Sequence, residues 1–450
     1  MKPRCLSDDL GMDETGERPD TLDDGRHLPP GLPIVVVQAA IDVVATYYDK
    51  AWLGDERKTH PIRTIWQSKD VISTQELYWL GDSIQLISKV NSGWLRDAIA
   101  KTKLFDISRA GTMFEIIMIA ALLRGGQEAE PSPPNAPKID AIFTTFNGQS
   151  VAVSMKSFGA TSREKEFLRE STTISKAVRG VMTRRRLHWL GFLATAEEYP
   201  RPVDWTQLPP IVEDLSLRGL SEKRNGVWTV CPLRWHRGNG SLSANFQSYS
   251  HVIVSPHHEN ESKTFADNIA AAAKDLDEYA SGLHDSSFSV LFVRISENAD
   301  MTQQLTSAKA YLLSGTSRID GIMFLQMSVA VQSTMNTTSI LISACSVWKD
   351  GIPPAPMTFR FASGLCSETP PQYEIEREGK SMRLGPGHVF ADTNIFPETT
   401  VELRNLKDGV TANGEFLPGY TINMVLAFDK ENHVAISPRH RLPTRLSLFA

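Results

Sequence analysis

The sequence predicts an α/β fold, a mixed sheet flanked by helices, with a helical N-terminal region in front of it and a β-rich C-terminal module behind it. Three observations carry that expectation. Apolar residues recur at helical spacing from Ile34 to about Gly126, β-type runs then alternate with helical stretches from residue 138 to residue 347, and beyond Pro353-Pro354 the chain turns β-rich and is punctuated by Gly and Pro.

Taken in order, residues 1–33 are rich in Asp, Glu, Gly and Pro, lack apolar periodicity and read as a flexible acidic tail. Residues 34–107 form the helical lead-in, marked by Val37, Ile41, Val44 and Tyr48 and then by Leu77, Leu80, Ile84 and Ile87. Residues 108–350 form the core. Its first helix is followed by a Pro-rich loop from Glu130 to Pro137, β-type runs at 138–145 and 149–156, and a long helical stretch from about residue 162 to 187. Residues 190–260 read as an irregular insertion with strands at 227–231 and 251–255. A helix at 262–280, a strand at 288–295, a helix at 302–313 and strands at 319–327 and 339–347 complete the alternation, and residues 351–450 make the β-rich module. There is no internal repeat.

At 450 residues, 41% hydrophobic and 22% charged, the chain has the composition of a globular protein large enough for two or three domains, and bulk disorder is excluded. No run approaches the ~18 uncharged apolar residues of a membrane helix, and the first twenty residues lack the apolar stretch of a signal peptide, so the expected setting is the cytoplasm with no membrane partner. Cys5, Cys231, Cys345 and Cys366 lie far apart without a CxxC pair, which fits reduced thiols better than disulfides or a zinc ribbon. The net charge of −5 is concentrated at the front: residues 1–33 hold eight acids and four bases, which leaves 44 acids and 43 bases in the rest. A local basic face for a polyanion therefore remains open.

The most informative residue is Glu115, the one charge in the apolar run from Met113 to Leu123. A helix apolar all round is buried, and a buried carboxylate costs several kcal/mol unless it meets a cation, hydrogen-bond donors or a metal. A structural ion pair with Arg109 is the alternative. The second feature is a hairpin. Alternation puts Ile139, Ala141 and Phe143 on one face of its first strand and Asp140 on the other, while in the second strand Val151, Val153 and Met155 oppose Ser154 and Lys156. A three-residue loop, Phe146-Asn147-Gly148, with Gly148 left-handed, pairs Thr145 with Gln149 and Asp140 with Ser154, and only this register gathers Asp140, Ser154 and Lys156 on one face.

A lone Glu115 on an apolar helix, Asp140 on a strand, Ser154-Met-Lys156 on its hairpin partner and a helix after it together resemble the PD-(D/E)XK, or restriction-endonuclease-like, nuclease superfamily over residues 108–187. The resemblance implies a restriction-endonuclease-like core and a metal-dependent endonuclease hydrolysing DNA, in restriction or defence. It implies Mg²⁺, with Mn²⁺ as substitute, held by Asp140 and the acid two before the Lys, with Lys156 positioning the attacking water and Glu115 completing the site. Here Ile139 precedes Asp140 instead of Pro, and Ser154 stands where that acid belongs. A type II restriction subgroup carries Ser-x-Lys and supplies the acid from the following helix thirteen residues on, and thirteen residues separate Lys156 from Glu170. The expected ligands are therefore Asp140 and Glu170, with Glu115 outside them or on a second metal. Glu166 is the competing acid on that helix.

Such chemistry needs hard oxygen ligands for Mg²⁺, which lowers the pKa of a bound water, and a compact cation near the attacked phosphate. Between Arg163 and Arg186 eight bases face three acids, and Arg163, Lys176, Arg179, Arg184, Arg185 and Arg186 are the candidate DNA contacts, a solvated helix face being the blander reading. The main rival is an inactive restriction-endonuclease-like module, with Ser154 marking loss of the metal, that serves nucleic-acid binding or assembly. The motif His257-His258-Glu259 and a Ser154/Lys156 hydrolase dyad are weaker candidates. Homo-oligomer formation and the role of residues 351–450 stay open.

Overall fold

Short side-chain caps set several helix starts. Asp70 accepts from the Ser73 N–H at 2.9 Å, Thr161 from Glu164 at 3.0 Å and Asp300 from Gln303 at 3.0 Å, each satisfying an orphan donor of a first turn. The computed structural model describes residues 22–394 apart from 30, 56–59, 105–109, 133–138, 146, 188, 219–221, 233, 236–247, 281–286, 315–316, 333–336, 352–356, 369–372, 378–379 and 385–386, and beyond residue 394 only four short strands.

Helices α1 (Ile34–Tyr48), α2 (Lys50–Leu53), α3 (Pro61–Gln67), α4 (Val71–Val90), α5 (Ser92–Lys103) and α6 (Ala110–Arg124) come first. Then follow β1 (Glu128–Pro131), β2 (Ala141–Thr144), β3 (Ser150–Ser157), α7 (Ser162–Arg185), β4 (Trp189–Ala196), α8 (Pro202–Arg218), β5 (Lys223–Asn225), β6 (Trp228–Pro232), β7 (Arg234–Trp235) and β8 (Ser248–Pro256). The chain continues through α9 (Asn260–Ala280), β9 (Ser287–Ile295), α10 (Met301–Leu313), β10 (Gly321–Gln332), β11 (Thr337–Trp348), β12 (Leu365–Ser367), β13 (Tyr373–Arg377), β14 (Lys380–Leu384) and β15 (Gly387–Asn394). Strands β16 (Val401–Asn405), β17 (Val410–Gly414), β18 (Leu426–Phe428) and β19 (His433–Ile436) end it.

The first sheet is mixed, in the order β1-β2-β3-β9-β10-β11-β12, with β3, β9 and β10 parallel at its centre. Alternation along these strands feeds two cores. Val151, Val153, Met155, Val290, Phe292 and Leu325 pack with α6 and the helical lead-in, while Ala152, Leu291, Val293, Ile322 and Phe324 pack under α9 and α10. At the crossing of α1 and α4 a side chain on Gly81 would run into the Ala40 carbonyl, so the close approach requires glycine. A second sheet, β15-β8-β4-β6-β5, takes four strands from between β3 and β9 and its edge strand β15 from the C-terminal region, and is covered by α7 and α8. No helix among the described residues is long and apolar enough to cross a membrane.

Three sequence expectations change. Within residues 22–28, expected as tail, two side chains are packed: Leu22 is buried, and the buried Arg26 guanidinium donates to the carbonyls of Ile65 (3.3 Å), Trp66 and Ser68 (2.8 Å) at the end of α3. Residues 190–260, expected to be irregular apart from strands at 227–231 and 251–255, form β4, α8 and β5 to β8 among the described residues, and the two expected strands are β6 and β8. Pro209-Pro210 hides α8, yet Trp205, Leu208, Ile211, Val212 and Leu215 form a buried face whose packing outweighs the loss of helical hydrogen bonds. The β-rich C-terminal region is also not a separate sheet throughout, since β12 pairs with β11 and β15 with β8.

Before β12 the chain returns to the helical lead-in, where Phe361 stacks on Trp79 at 5.4 Å and the Trp79 indole donates to Ser363 Oγ at 2.8 Å. Trp79→Ala is expected to cost about 3–5 kcal/mol in urea unfolding, against less than ~0.5 kcal/mol for Val35→Ala on the exposed face of α1.

Candidate functional site

The hairpin has the register read from its turn. Ala141 pairs with Val153 and Thr144 with Ser150, the Thr145 N–H donates to the Gln149 carbonyl at 2.9 Å, and Gly148 sits at φ +81°. Asp140 lies at a bend just before β2, where its N–H donates to the Val153 carbonyl at 2.8 Å. Its Oδ2 accepts from the Met155 N–H at 2.5 Å and from the Ser154 hydroxyl at 3.3 Å. The bend breaks the alternation. Ile139 packs with Ala152 under α9 and α10, on the side opposite to Ala141 and Phe143, because only a departure from the pleat lets the Asp140 carboxylate reach the β3 backbone. The expected open polar face is also corrected: Ser154 is fully buried, and only at the end of β3, where Lys156 is half-buried, does that face approach solvent.

Helix α6 is buried from Met113 to Leu122 except at Glu115, which is half-buried. The Glu115 side chain leans back over the first turn of α6: a Cβ on Gly111 would lie 3.9 Å from its Oε1. Burial first, and then the neighbouring Asp140 carboxylate, push the Glu115 carboxyl up to about 7, against the pull of Lys101 and Lys156. Glu115, Asp140, Ser154 and Lys156 therefore share one locale at one end of the β2–β3 hairpin. Lys101, exposed in the last turn of α5, joins them; in the sequence it is one lysine among the bases of an ordinary amphipathic helix, and only the docking of α5 on α6 brings it near. Arg109, the alternative partner for Glu115, lies outside the described residues.

Glu170 stands apart. It is ion-paired with Arg169 at 2.8 Å, and α7 buries Phe167, Ile174, Val178 and Met182 in the core of the second sheet and not over the hairpin. Glu166 is likewise engaged, by Arg163 at 2.7 Å. Among the described residues no three of His, Cys, Asp and Glu converge as around a metal ion, and of the expected trio Asp140 and Glu115 neighbour each other while Glu170 pairs with Arg169. The pair Asp140 and Glu115 is nonetheless a donor set suited to a hard divalent cation, because two crowded carboxylates, one held partly protonated, gain most when a positive charge arrives between them.

Of the candidate DNA contacts, Lys176, Arg179, Arg184, Arg185 and Arg186 are exposed on α7 or its C-cap and Arg163 is half-buried. Arg163 serves Glu166, Arg185 pairs with Glu213 of α8 at 2.7 Å, and Arg179 lies over the Tyr249 ring.

His257 and His258 enter a buried seam between the two sheets. His257 Nε2 is 2.6 Å from the Asn298 carbonyl, and the His258 N–H donates to Glu261 at 2.8 Å. His388 of β15 meets Glu261 at 3.0 Å, and Glu164 accepts from Ser296 at 2.6 Å. Burial opposes ionisation of Glu261, but His388, the Thr161 hydroxyl and the His258 N–H hold its carboxyl down to about 2. A depressed carboxyl stabilises the fold above its unfolded value near 4.5 and loses that contribution as pH falls toward 2. In Glu261→Gln this acid-induced loss between about pH 4.5 and 2 should shrink by up to about 3 kcal/mol, read by urea unfolding across that window. Of the described cysteines, Cys231 and Cys345 are buried and Cys366 is exposed.

Comparison with protein-family models, with curated proteins and with solved structures finds no match to this chain.

Proposed function

We propose that the chain is a divalent-metal-dependent endonuclease that hydrolyses DNA phosphodiester bonds at the hairpin, in a restriction or defence role. The observation that carries the reading is the coupling of Glu115 to Asp140 beside Lys156, a half-buried acid pushed up to about 7 by desolvation and by a second acid at the end of the hairpin. Asp140 and Glu115 would hold Mg²⁺, with Glu115 in the place expected for Glu170. When bound, the ion supplies an activated water and neutralises charge that develops on the phosphate. Asp140 is held in one orientation by the Met155 N–H and the Ser154 hydroxyl, so Ser154 acts as an orienting donor and not as a ligand. Glu115 would release its proton to solvent where the pair holds a cation. Lys156 presents a positive charge to the attacked phosphate, and Lys101 adds a second at the rim.

A second reading has its own observation: Asp140 Oδ2 already accepts two hydrogen bonds and Ser154 is sealed beneath it, as in an inactive module that keeps the fold for nucleic-acid binding or assembly. Calorimetric titration with Mn²⁺ separates the two. The nuclease binds the ion in a manner that depends on Asp140 and Glu115 and cuts plasmid DNA, whereas the inactive module takes up no ion and holds DNA equally well in chelator.

A further inference from the structure

The outer face of α7 carries an order of its own. Lys165, Arg169, Thr172, Lys176, Arg179, Thr183 and Arg186 follow one another at alternating steps of four and three residues, and all seven are exposed. Steps of four and three keep residues on one side of a helix, so these form one stripe without an acid, while Glu166 and Glu170 lie on the flank. The Thr172 and Thr183 hydroxyls donate back to the Leu168 and Arg179 carbonyls at 2.7 and 3.1 Å, which leaves the five cations to face outward. Arg169 is shared with Glu170, and Arg179 is braced over Tyr249. Arg186 ends the stripe in the left-handed conformation at φ 53°, a position where glycine would sit without strain. Helix-dipole compensation accounts for bases in the last turn but not for Lys165, Lys176 and Arg179 in the body of the helix.

We infer that this stripe docks about one turn of the sugar-phosphate backbone of a nucleic-acid duplex. From Lys165 to Arg186 the stripe runs ~32 Å at ~1.5 Å per residue, close to the ~34 Å of one duplex turn. Single strands are gripped by aromatic platforms, and on α7 the nearby rings of Tyr199 and Tyr249 are covered by Arg163 and Arg179. A membrane surface fits less well, because the exposed large apolar residues (Val35, Val36, Val90, Leu104, Val203 and Leu313) all lie off this helix among the described residues. The docking itself does not require cleavage. Its placement beside a cutting site, α7 starting six residues after Lys156, rests on the nuclease reading.

The test uses the full chain carrying Lys156→Ala, in chelator, with fluorescent duplexes from about one to about two turns long. Lys165→Glu/Lys176→Glu should weaken duplex binding at least tenfold, lower the salt slope by about one per lost contact and abolish the affinity gained on lengthening the duplex. Arg201→Glu/Arg224→Glu, which reverses exposed bases off α7, should change little. Equal loss in that control, an unchanged salt slope, stronger retention of single strands, binding to anionic vesicles in place of duplex, or no duplex binding at all would each overturn the docking surface. Length-dependent binding together with a wild-type chain that never cuts would fell the nuclease reading and leave the stripe standing.

Discussion

Lys156→Ala is expected to lower DNA cleavage by at least about 10²-fold, because the cation at the end of β3 acts on charge that appears only in the transition state. Duplex affinity and urea stability should stay close to wild type. The side chain is half-buried, at the place where the covered face of the hairpin first meets solvent, and its removal opens no cavity in either core. Lys101→Ala should show a smaller loss, since that lysine is exposed and screened by solvent. Turnover of Lys156→Ala equal to wild type, measured on plasmid under single-turnover conditions, would remove the residue from the site.

The second large effect is the pH dependence written into Glu115. Its carboxyl is raised from 4.5 to about 7, so the folded chain holds a proton there that the unfolded chain has released. Stability should therefore fall as pH rises from about 4.5 to about 7, by up to about 3 kcal/mol, and Glu115→Gln should be the more stable chain at pH 8 while differing little at pH 4. Divalent cations reverse the sign. Because binding displaces that proton, apparent Mn²⁺ affinity should weaken roughly tenfold per pH unit below about 7, and Mn²⁺ should raise the unfolding midpoint of wild type but not of Glu115→Gln or Asp140→Asn. Glu170→Ala should bind Mn²⁺ as wild type does. If instead Glu170→Ala loses the ion and Glu115→Gln keeps it, the helix after the hairpin does supply the acid, and α7 must move to do so.

The hairpin was legible in the sequence because two local signals agreed: alternation along Val151, Val153 and Met155, and a glycine positioned for a left-handed turn. Glu115 stood out because one charge in an apolar helix must meet a partner, be it a structural ion pair with Arg109 or a functional site. What escaped was tertiary. The spacing from Lys156 to Glu170 counts residues along the chain, but the face that α7 buries depends on a second sheet of which the sequence shows only the strands at 227–231 and 251–255, and Phe167 and Ile174 turn the helix toward it. The bend at Asp140 was hidden for a similar reason. A strand pattern assigns Ile139 and Ala141 to one side, whereas a hydrogen bond from Met155 to the Asp140 carboxylate draws the chain out of the pleat and sends Ile139 to the other core. Lys101 carries no signal of its own and acquires one only when α5 docks on α6.

The most direct measurement is the incubation of purified wild-type chain and Asp140→Asn with supercoiled plasmid, single-stranded DNA and RNA, with Mg²⁺, with Mn²⁺ and with chelator. Asp140→Asn keeps the hydrogen-bonding oxygen toward Met155 but halves the carboxylate pair, so it tests the site and spares the fold. Wild type is expected to give nicked and linear plasmid in either cation and nothing in chelator, and the variant to give nothing. Intact DNA in every wild-type lane, or equal cutting by Asp140→Asn, would contradict the nuclease reading.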